Sequence, residues 1–453
     1  MSQEKSMNRR QFLGSAAGAA AAAAVFTIVP RHVLGGAGQT PPSEKLNIAG
    51  IGVGGMGGGN VHSAGAENIV ALCDVDWRYA ANMFKAFPKA RQHKDFRRML
   101  EEQKDIDAVI IGTPDHTHAV IAMAAIQAGK HVYCQKPLTR TIHEARVLTE
   151  AARKAGVTTQ MGIQHHSSEE IRLICEWIWA GAVGNVREVI AWSTLSYYPW
   201  GHASWSSSHG TRPTETPSVP PTLDWDLWLG PAPHRPYHRC YHPASWRAWV
   251  DFGVGMLGDR GVHTLDSIFW ALKLGHPISV EASNTNPVVE TYPIASIVTY
   301  QFPARGEMPP VTVKWYDGLT PPRPEELEPG RQMGGSDGGI LFRGDKGTLM
   351  CDYTGQAPRL IPESKMKEFQ RPPKTLARVE GSHEEDWIRC CKEGKQPSAS
   401  FDFSGPLTEM VLLGNVAKRV EGVLEWDGPN MMVKNKPDAN QYVRSAYRSG
   451  WSL

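Results

Sequence analysis

The stretch Leu46–Gly57, which reads LNIAGIGVGGMG, decides the fold of this chain. Its first half is short and apolar, as expected for a buried β-strand. The second half carries a G-x-G-x-x-G pattern, whose glycines permit a tight turn and let the backbone approach a pyrophosphate at a helix N-terminus. The pattern therefore predicts a dinucleotide site, with these candidate contacts: Gly52, Gly54, Gly55, Met56 and Gly57.

Strand and helix patterns alternate after this turn. Apolar strands are predicted at 69–73, 108–111 and 131–134, and an Ala-rich helix at 118–128. Alternation at this spacing predicts an N-terminal Rossmann domain, residues 46–164, with a doubly wound parallel sheet.

Asp74 bears on the choice of cofactor. It ends the second predicted strand, 20 residues after Gly54. A carboxylate there accepts hydrogen bonds from the adenosine ribose hydroxyls and repels a 2′-phosphate. We therefore expect NAD to be preferred over NADP.

Composition excludes some classes of protein. The chain has 453 residues, 48 Lys plus Arg against 46 Asp plus Glu, and 41% hydrophobic residues. This balance does not fit a disordered chain, and a net charge of +2 gives no field for nucleic-acid binding. Seven scattered cysteines form neither a disulfide framework nor a CxxC pair, which indicates folding in a reducing compartment.

The N-terminus has the pattern of an export signal. The pair Arg9-Arg10 precedes an Ala-rich apolar stretch, Gly14 to Val29, of about 16 residues, shorter than the ~20 that span a bilayer. We interpret residues 1–37 as a signal peptide for the twin-arginine export machinery, cleaved before Gly38, and residues 38–45 as a linker or covering arm. The protein is then expected to be periplasmic or otherwise exported, without stable membrane insertion after cleavage. The alternatives are an uncleaved anchor or an accidental arginine pair.

Several motifs resemble the Gfo/Idh/MocA (glucose–fructose oxidoreductase / inositol dehydrogenase) family over nearly the whole mature chain. They are the glycine stretch, Thr113-Pro114 with His118, Gln135-Lys136-Pro137, and Gly258-Asp259 with His263 and Asp266. Tryptophan-rich segments at 225–231, 246–249 and 447–451 are similar to the exported, sugar-associated branch. The resemblance implies these further cofactor contacts: Thr113, Pro114, His118, Gln135 and Gln164. The family usually has Glu-Lys-Pro, so Gln135 is a departure that keeps an acceptor and loses a charge.

Residues 165–453 are predicted to form a substrate-binding domain. Val311, Val313 and Trp315 alternate with polar residues, which is typical of strands covered on one face. Together with the resemblance, this pattern predicts an open, largely antiparallel sheet backed by helices, with a closing helix around 410–417. The resemblance also implies a homo-oligomer that forms through this sheet.

The catalytic candidates are Lys136, Asp259 and His263. Asp259 and His263 are four residues apart in a predicted helix, 256–270, and therefore share one face. Oxidation of a secondary alcohol needs a base for the hydroxyl proton, and imidazole suits this task. The resemblance implies that His263 is the acid/base, Asp259 orients substrate and Lys136 polarises the reacting oxygen. Spacing alone favours the alternative of a helix-capping Asp and a core His, and the resemblance reverses that preference.

The substrate candidates are His165, Trp246 and Arg247. The resemblance implies that His165 lies in the cleft, where the family's sixth strand meets the nicotinamide, and a surface histidine is the alternative. Trp246 and Arg247 belong to a region rich in tryptophan, where indole rings either stack on sugar C–H faces or anchor loops. Eight of the 15 tryptophans lie here: Trp192, Trp200, Trp205, Trp225, Trp228, Trp246, Trp249 and Trp270. His234, His238 and His242 recur every four residues, but Pro233 and Pro236 interrupt any helix, and we expect no metal site.

These residues indicate an NAD-dependent oxidoreductase acting on CH-OH groups of a sugar or polyol. One alternative is an NAD-dependent glycosidase, in which transient oxidation at C3 acidifies the neighbouring C–H and allows elimination of the aglycone. A second alternative is a non-catalytic sugar-binding protein that retains the fold.

Overall fold

The structure, a computed structural model, describes residue 41 and residues 44–199 and 204–453. The predicted signal peptide, most of the predicted linker and Trp200 lie outside these residues. The residues from Leu46 to Leu453 form one unit built on two sheets.

The first sheet has six parallel strands in the order β3-β2-β1-β4-β5-β6. Its strands are β1 (Asn47–Ile51), β2 (Asn68–Cys73), β3 (Arg91–His93), β4 (Ala108–Ile111), β5 (His131–Gln135) and β6 (Thr159–Gly162). The intervening helices are α1 (Met56–Ser63), α2 (Ala81–Ala86), α3 (Phe96–Glu102), α4 (Asp115–Gln127) and α5 (Ile142–Ala155). The predicted Rossmann fold is confirmed. The strand order reverses between β1 and β4, and ligands bind at such a point.

Local sequence explains the elements of this sheet. All four residues of β4 (AVII) are buried, as expected where helices cover both faces of a parallel sheet. Helix α5 begins with a capping box between Thr141 and Glu144 and ends at Gly156, which adopts the left-handed conformation with φ of 66°.

The second sheet has nine strands in the order β13-β12-β11-β7-β10-β9-β8-β14-β15. Its strands are β7 (Val186–Ser193), β8 (Ser279–Asn284), β9 (Ser296–Phe302), β10 (Val311–Asp317), β11 (Gly338–Gly344), β12 (Thr348–Asp352), β13 (Arg359–Ile361), β14 (Leu424–Asp427) and β15 (Met432–Val433). Strands β7 and β10 pair in parallel and the other neighbours are antiparallel, which confirms the predicted class.

The helices of this part are α6 (Glu169–Trp179), α7 (Trp225–Leu229), α8 (Val262–Ala271), α9 (Glu363–Glu368), α10 (His383–Glu393) and α11 (Phe401–Ala417). Short 3₁₀ turns cover Gln164–Ser167, Ser245–Ala248 and Pro437–Tyr442. The predicted closing helix is α11, which begins nine residues before residue 410.

Helix α11 joins the two sheets. It packs on α5 of the first sheet and on β8 of the second, and one hydrophobic core runs through both. Arg146 of α5 adds a two-pronged ion pair to Glu409 of α11, with both N–O distances 2.7 Å. Because packed cores resist deformation, this shared core fixes the crevice between the sheets.

Two further observations concern the described residues. No helix among them is long and apolar enough to cross a membrane. All seven cysteines are unpaired and buried.

The glycine turn provides a stability test with an internal control. A Cβ on Gly57 would lie 2.2 Å from the carbonyl oxygen of Gly52 and 3.0 Å from Cα of Gly112. We therefore expect Gly57→Ala to lower the free energy of unfolding by about 1–3 kcal/mol. Exposed Gly59 lies in the same helix, and a Cβ added there would meet no atom within 4 Å, so Gly59→Ala should raise stability by about 0.5–1 kcal/mol. Urea unfolding measures both, and equal effects would contradict the steric argument.

Candidate functional site

The candidate site is a crevice at the carboxyl edge of the parallel sheet. Eight of the predicted cofactor contacts line it: Gly52, Gly54, Gly55, Met56, Asp74, Thr113, Pro114 and Gln135. Lys136, Trp246 and Arg247 line it as well. The remaining predicted residues, which are Gly57, His118, Gln164, His165, Asp259 and His263, do not belong to this lining.

The glycine turn fits a dinucleotide. Gly52 has φ of 75°, a conformation that favours glycine, and a Cβ on Gly54 would lie 2.1 Å from the Tyr79 ring. Helix α1 begins after Gly55 without a side-chain cap, so its first N–H groups remain available to an anion. Backbone and helix together form a cradle for a pyrophosphate.

Asp74 has a structural role that the sequence did not indicate. Its Oδ2 accepts hydrogen bonds from the backbone N–H groups of Val53 at 2.8 Å and Gly54 at 3.0 Å, and its Oδ1 accepts one from Asp76 at 2.9 Å. Burial raises the pKa of Asp74 to about 6, although these backbone donors oppose the shift. The carboxylate therefore holds the glycine turn in place while it lines the crevice.

His118 is a correction to the predicted cofactor contacts. Its ring is 1% exposed, and its two nitrogens lie 2.8 Å from the carbonyl oxygens of Pro137 and Thr113. Burial lowers the pKa of His118 to about 4, so the neutral ring donates to one of these carbonyls. His118 braces the loops after β4 and β5, because each of its nitrogens faces a backbone carbonyl of one of these loops.

Asp259 is the centre of a buried ionic cluster. Its Oδ1 lies 2.6 Å from Nζ of Lys136 and 3.2 Å from Nε of Arg247, and its Oδ2 accepts a hydrogen bond from the hydroxyl of Tyr197. Burial favours a neutral carboxyl, but Lys136 and Arg247 hold the pKa of Asp259 well below its usual range. Burial also lowers the pKa of Lys136, against the attraction of Asp259.

The helix that carries this carboxylate differs from the prediction. Residues Leu257–Gly261 form a π-helical turn, and the regular helix α8 begins at Val262. Asp259 and His263 therefore lie on either side of a change in helical period, and the simple four-residue argument does not apply. Turns of this kind are frequent at functional sites.

His263 is half-buried next to the cluster. Its ring makes a T-shaped contact with the ring of His165, with centroids 5.8 Å apart, and its Nδ1 has no hydrogen-bond partner among the described residues. Burial, and then the charge of Lys136, lower the pKa of His263 well below its usual value. The imidazole is therefore neutral at neutral pH, and a neutral ring has one nitrogen that can act as an acceptor. The structure thus brings together His165 and His263, which the sequence assigned separately to substrate binding and to catalysis.

Asp115 is a site residue that sequence reasoning missed. It begins α4 directly after Thr113-Pro114, lines the crevice and is 2% exposed, with an Oδ2 that has no partner among the described residues. Burial and the charge of Asp259 raise its pKa to about 8, against Arg247 and Lys136. The sequence feature that could have identified Asp115 is its position directly after the Thr113-Pro114 motif.

The tryptophans divide into two groups. Trp205 and Trp246 line the crevice and flank Arg247, whose Cζ lies 4.5 Å and 4.2 Å from their ring centroids. Trp228 lines it too, as does Trp451 near the C-terminus. The others of the described set, Trp192, Trp225, Trp249 and Trp270, pack in the protein interior or against it.

The predicted histidine series makes other contacts. Nε2 of His242 lies 2.9 Å from Oδ2 of Asp76, and Nδ1 of His238 accepts the N–H of Cys240 at 3.2 Å. Within the described ranges, no group of three or more His, Cys, Asp or Glu residues is arranged to hold a metal ion.

Sequence relatives connect this geometry to known proteins. The chain is 28% identical to levoglucosan dehydrogenase of Pseudarthrobacter phenanthrenivorans over 196 residues, 43% of this chain and 40% of that protein. It is 32% identical to inositol 2-dehydrogenase of Salmonella typhimurium over 117 residues, 25% of this chain and 34% of that protein. The chain thus matches less than half the length of these curated relatives.

The fold is shared with solved structures. The WlbA dehydrogenase of Bordetella pertussis, in complex with NADH and UDP-GlcNAcA, superposes with a TM-score of 0.58 at 18% identity, over 84% of this chain and 99% of that chain.

Two sequence models of one family match consecutive parts of the chain. The oxidoreductase-family NAD-binding Rossmann fold matches residues 46–163, and the C-terminal alpha/beta domain of the same family matches residues 170–303. Together with the crevice between two such sheets, these matches show that the chain belongs to the Gfo/Idh/MocA oxidoreductase family.

Proposed function

We propose that this protein is an exported oxidoreductase that transfers a hydride between a secondary alcohol of a sugar or polyol and a tightly bound NAD. The observation that carries the proposal is the buried cluster of Lys136, Asp259 and Arg247, with His263 beside it, at the edge of the dinucleotide crevice. Levoglucosan and inositol dehydrogenases among the relatives support a sugar or polyol as substrate.

The residues of the crevice fit the cofactor. The glycine turn and the N-terminus of α1 would hold the pyrophosphate, and Asp74 would face the adenosine ribose. When bound, the nicotinamide supplies the hydride acceptor. Thr113 and Gln135, the residue before Lys136, line the crevice and would contact this half of the cofactor.

The chain's own groups divide the proton chemistry. Neutral His263 takes the hydroxyl proton, and the ammonium of Lys136 donates a hydrogen bond to the substrate oxygen as negative charge develops on it. Asp259 makes short contacts with Lys136, Arg247 and Tyr197, so its role is to position Lys136 and Arg247 rather than to orient substrate directly.

One experiment separates this function from its alternatives. The protein is incubated with a panel of aryl glycosides, free sugars and polyols, and the products are identified. An oxidised sugar, matched either by NADH on the protein or by a second sugar that is reduced, supports the dehydrogenase. Release of aglycone without net NADH indicates the redox-assisted glycosidase, and the absence of both products with retained sugar binding indicates a binding protein. A homo-oligomer stays a prediction, which gel filtration tests.

Removal of the proposed base should affect chemistry and spare cofactor binding. We expect His263→Ala to lower kcat by at least ~10², because general-base catalysis is lost, while the dissociation constant for NADH stays close to that of the wild type. His143→Ala on α5, outside the crevice lining, is the matched control and should retain full turnover. Near-wild-type turnover of His263→Ala, or an equal loss of NADH binding, would remove His263 from the mechanism.

Removal of the Asp74 carboxylate should narrow cofactor preference. We expect Asp74→Ser to weaken NAD binding and to reduce the difference between NAD and NADP by about 1–3 kcal/mol, the range of a charge-assisted hydrogen bond. Titration with both cofactors measures the ratio. Loosening of the glycine turn weakens the binding of NAD and NADP alike, so only loss of the charge changes the ratio of their dissociation constants. An unchanged ratio would assign ribose recognition to another residue.

Export implies that the nicotinamide stays with the protein. Outside the cytoplasm no NAD pool exchanges the reduced cofactor, whereas the twin-arginine route carries folded proteins that retain their ligand. We expect a dissociation constant well below micromolar, beyond about 8 kcal/mol of binding, with the redox cycle closed on the same cofactor by a second sugar or a later intermediate. Protein from the exported fraction is denatured and the released nicotinamide is measured. Less than about a tenth of a mole per mole, with activity restored only by added NAD, would contradict this prediction.

A further inference from the structure

A buried carboxylate from the C-terminal part of the chain reaches the back of the cofactor crevice. Glu384 lies in the first turn of α10 and is 5% exposed. Its Oε1 accepts a hydrogen bond from Nδ2 of Asn60 at 2.7 Å and another from the hydroxyl of Tyr133 at 3.0 Å. Asn60 belongs to α1 and Tyr133 to β5, and both are buried.

The hydrogen-bond chemistry of this contact dictates the orientation of the next amide. A carboxylate only accepts hydrogen bonds, so Asn60 must turn its NH₂ group towards Glu384 and its Oδ1 away from it. That Oδ1 accepts a hydrogen bond from Nε2 of Gln135 at 2.8 Å. One N–H of the Gln135 amide is therefore donated to Asn60, which fixes on which side of the amide the nitrogen lies.

The amide oxygen of Gln135 is left for the crevice that the residue lines. Among the described residues, its Oε1 accepts only the backbone N–H of Lys136, at 3.3 Å. A carbonyl oxygen has two acceptor sites, so one remains for a ligand. Through Asn60, Glu384 thus fixes the orientation of the Gln135 amide, with its nitrogen bonded to Asn60 and its oxygen next to Lys136.

The same carboxylate orients a second amide. Because the proton of the Tyr133 hydroxyl is donated to Glu384, that hydroxyl accepts from Nε2 of Gln164 at 3.1 Å. Glu384 lies in the first turn of α10, directly after the N-cap Ser382 and His383, where the helix dipole favours a negative charge.

We propose that Glu384 is a positioning residue for the cofactor: through Asn60 it fixes the Gln135 amide so that its oxygen receives a hydroxyl or amide N–H donor of the nicotinamide half. This inference rests on the proposed cofactor site. A carboxylate does not fit at position 135 while Glu384 is present, because Asn60 cannot turn its NH₂ group towards two carboxylates on opposite sides of its amide.

We call the hydrogen bonds from Glu384 through Asn60 to Gln135 the relay. An exchange of the carboxylate at 384 and the amide at 135 tests it. The variants are Gln135→Glu, Glu384→Gln and the double variant, measured by fluorescence titration with NADH and by thermal unfolding, neither of which requires a substrate. The matched control is Gln135→Glu combined with Glu385→Gln. Glu385 is the next residue of the same helix turn, but its carboxylate bonds to the backbone N–H of Ser382 instead. Both double variants have the same net charge.

The expected pattern is specific to the relay. Gln135→Glu places a carboxylate against Oδ1 of Asn60 and should weaken NADH binding at least ~10-fold and lower the unfolding temperature. Glu384→Gln should have a smaller effect, since an amide still accepts through its oxygen. In the double variant the amide at 384 can donate, Asn60 can reverse, and NADH binding should recover by at least ~10-fold over Gln135→Glu. The control double variant should not recover.

Other outcomes overturn the inference. It fails if the double variant binds NADH no better than Gln135→Glu, or if the control recovers equally, because net charge would then explain the effect. If Gln135→Glu does not fold, Asn60→Ala cuts the relay. Glu384→Gln added to Asn60→Ala should then cause no further loss of NADH affinity. A loss as large as Glu384→Gln causes in the wild type would overturn the proposal. If the wild type binds no NADH, the proposed function fails, while the unfolding temperatures of the same variants still test the relay.

Discussion

The ion pair between Lys136 and Asp259 is the contact on which the geometry of the crevice depends. Lys136 follows strand β5 of the parallel sheet, and Asp259 lies in the π-helical turn before α8, 123 residues further along the chain. Both side chains are largely removed from water, where an unpaired charge is costly and a well-bonded pair is tolerated. Arg247 and Tyr197 complete the carboxylate's hydrogen bonds, so the cluster ties the segment before α8 to the edge of the parallel sheet.

The surrounding scaffold makes this placement rigid. Helix α11 contributes to both halves of a single hydrophobic core, and its Glu409 holds Arg146 of α5 in a two-pronged ion pair. A proton acceptor acts only when it is held within hydrogen-bond reach of its substrate, and such precision requires supporting side chains in fixed rotamers. His263 lies within the first turn of α8. Because α8 packs on this core, the core fixes the position of His263.

Burial gives neighbouring polar groups different tasks. Asp115 and Asp259 lie within electrostatic range of the same two cations, yet the pKa of Asp115 is raised to about 8 and that of Asp259 is lowered, because only Asp259 makes close ion pairs. In a low-dielectric site, such differences separate a carboxyl that carries a proton from one that carries a charge. Buried neighbours also determine how the neutral amides of Gln135 and Gln164 are oriented. The Glu384 carboxylate only accepts hydrogen bonds, and this orients Asn60 and Tyr133, which in turn accept from the two amides.

Local patterns in the sequence were sufficient for the parallel sheet and the glycine turn, because strand alternation, helix spacing and the steric demands of glycine act over a few residues. The class of the second sheet needed the family resemblance as well. The turn at Gly52 and the strand β10 follow from such patterns. The tasks of buried polar residues do not. His118 was assigned to the cofactor and instead braces two loops, while Tyr197 and Glu384 were not predicted at all. Glu384 meets Tyr133 across 251 residues of chain, and its effect on Gln135 depends on hydrogen-bond direction in a buried network. Only the tertiary structure decides such contacts, because burial and the identity of each partner, and not spacing along the chain, determine what a polar side chain does.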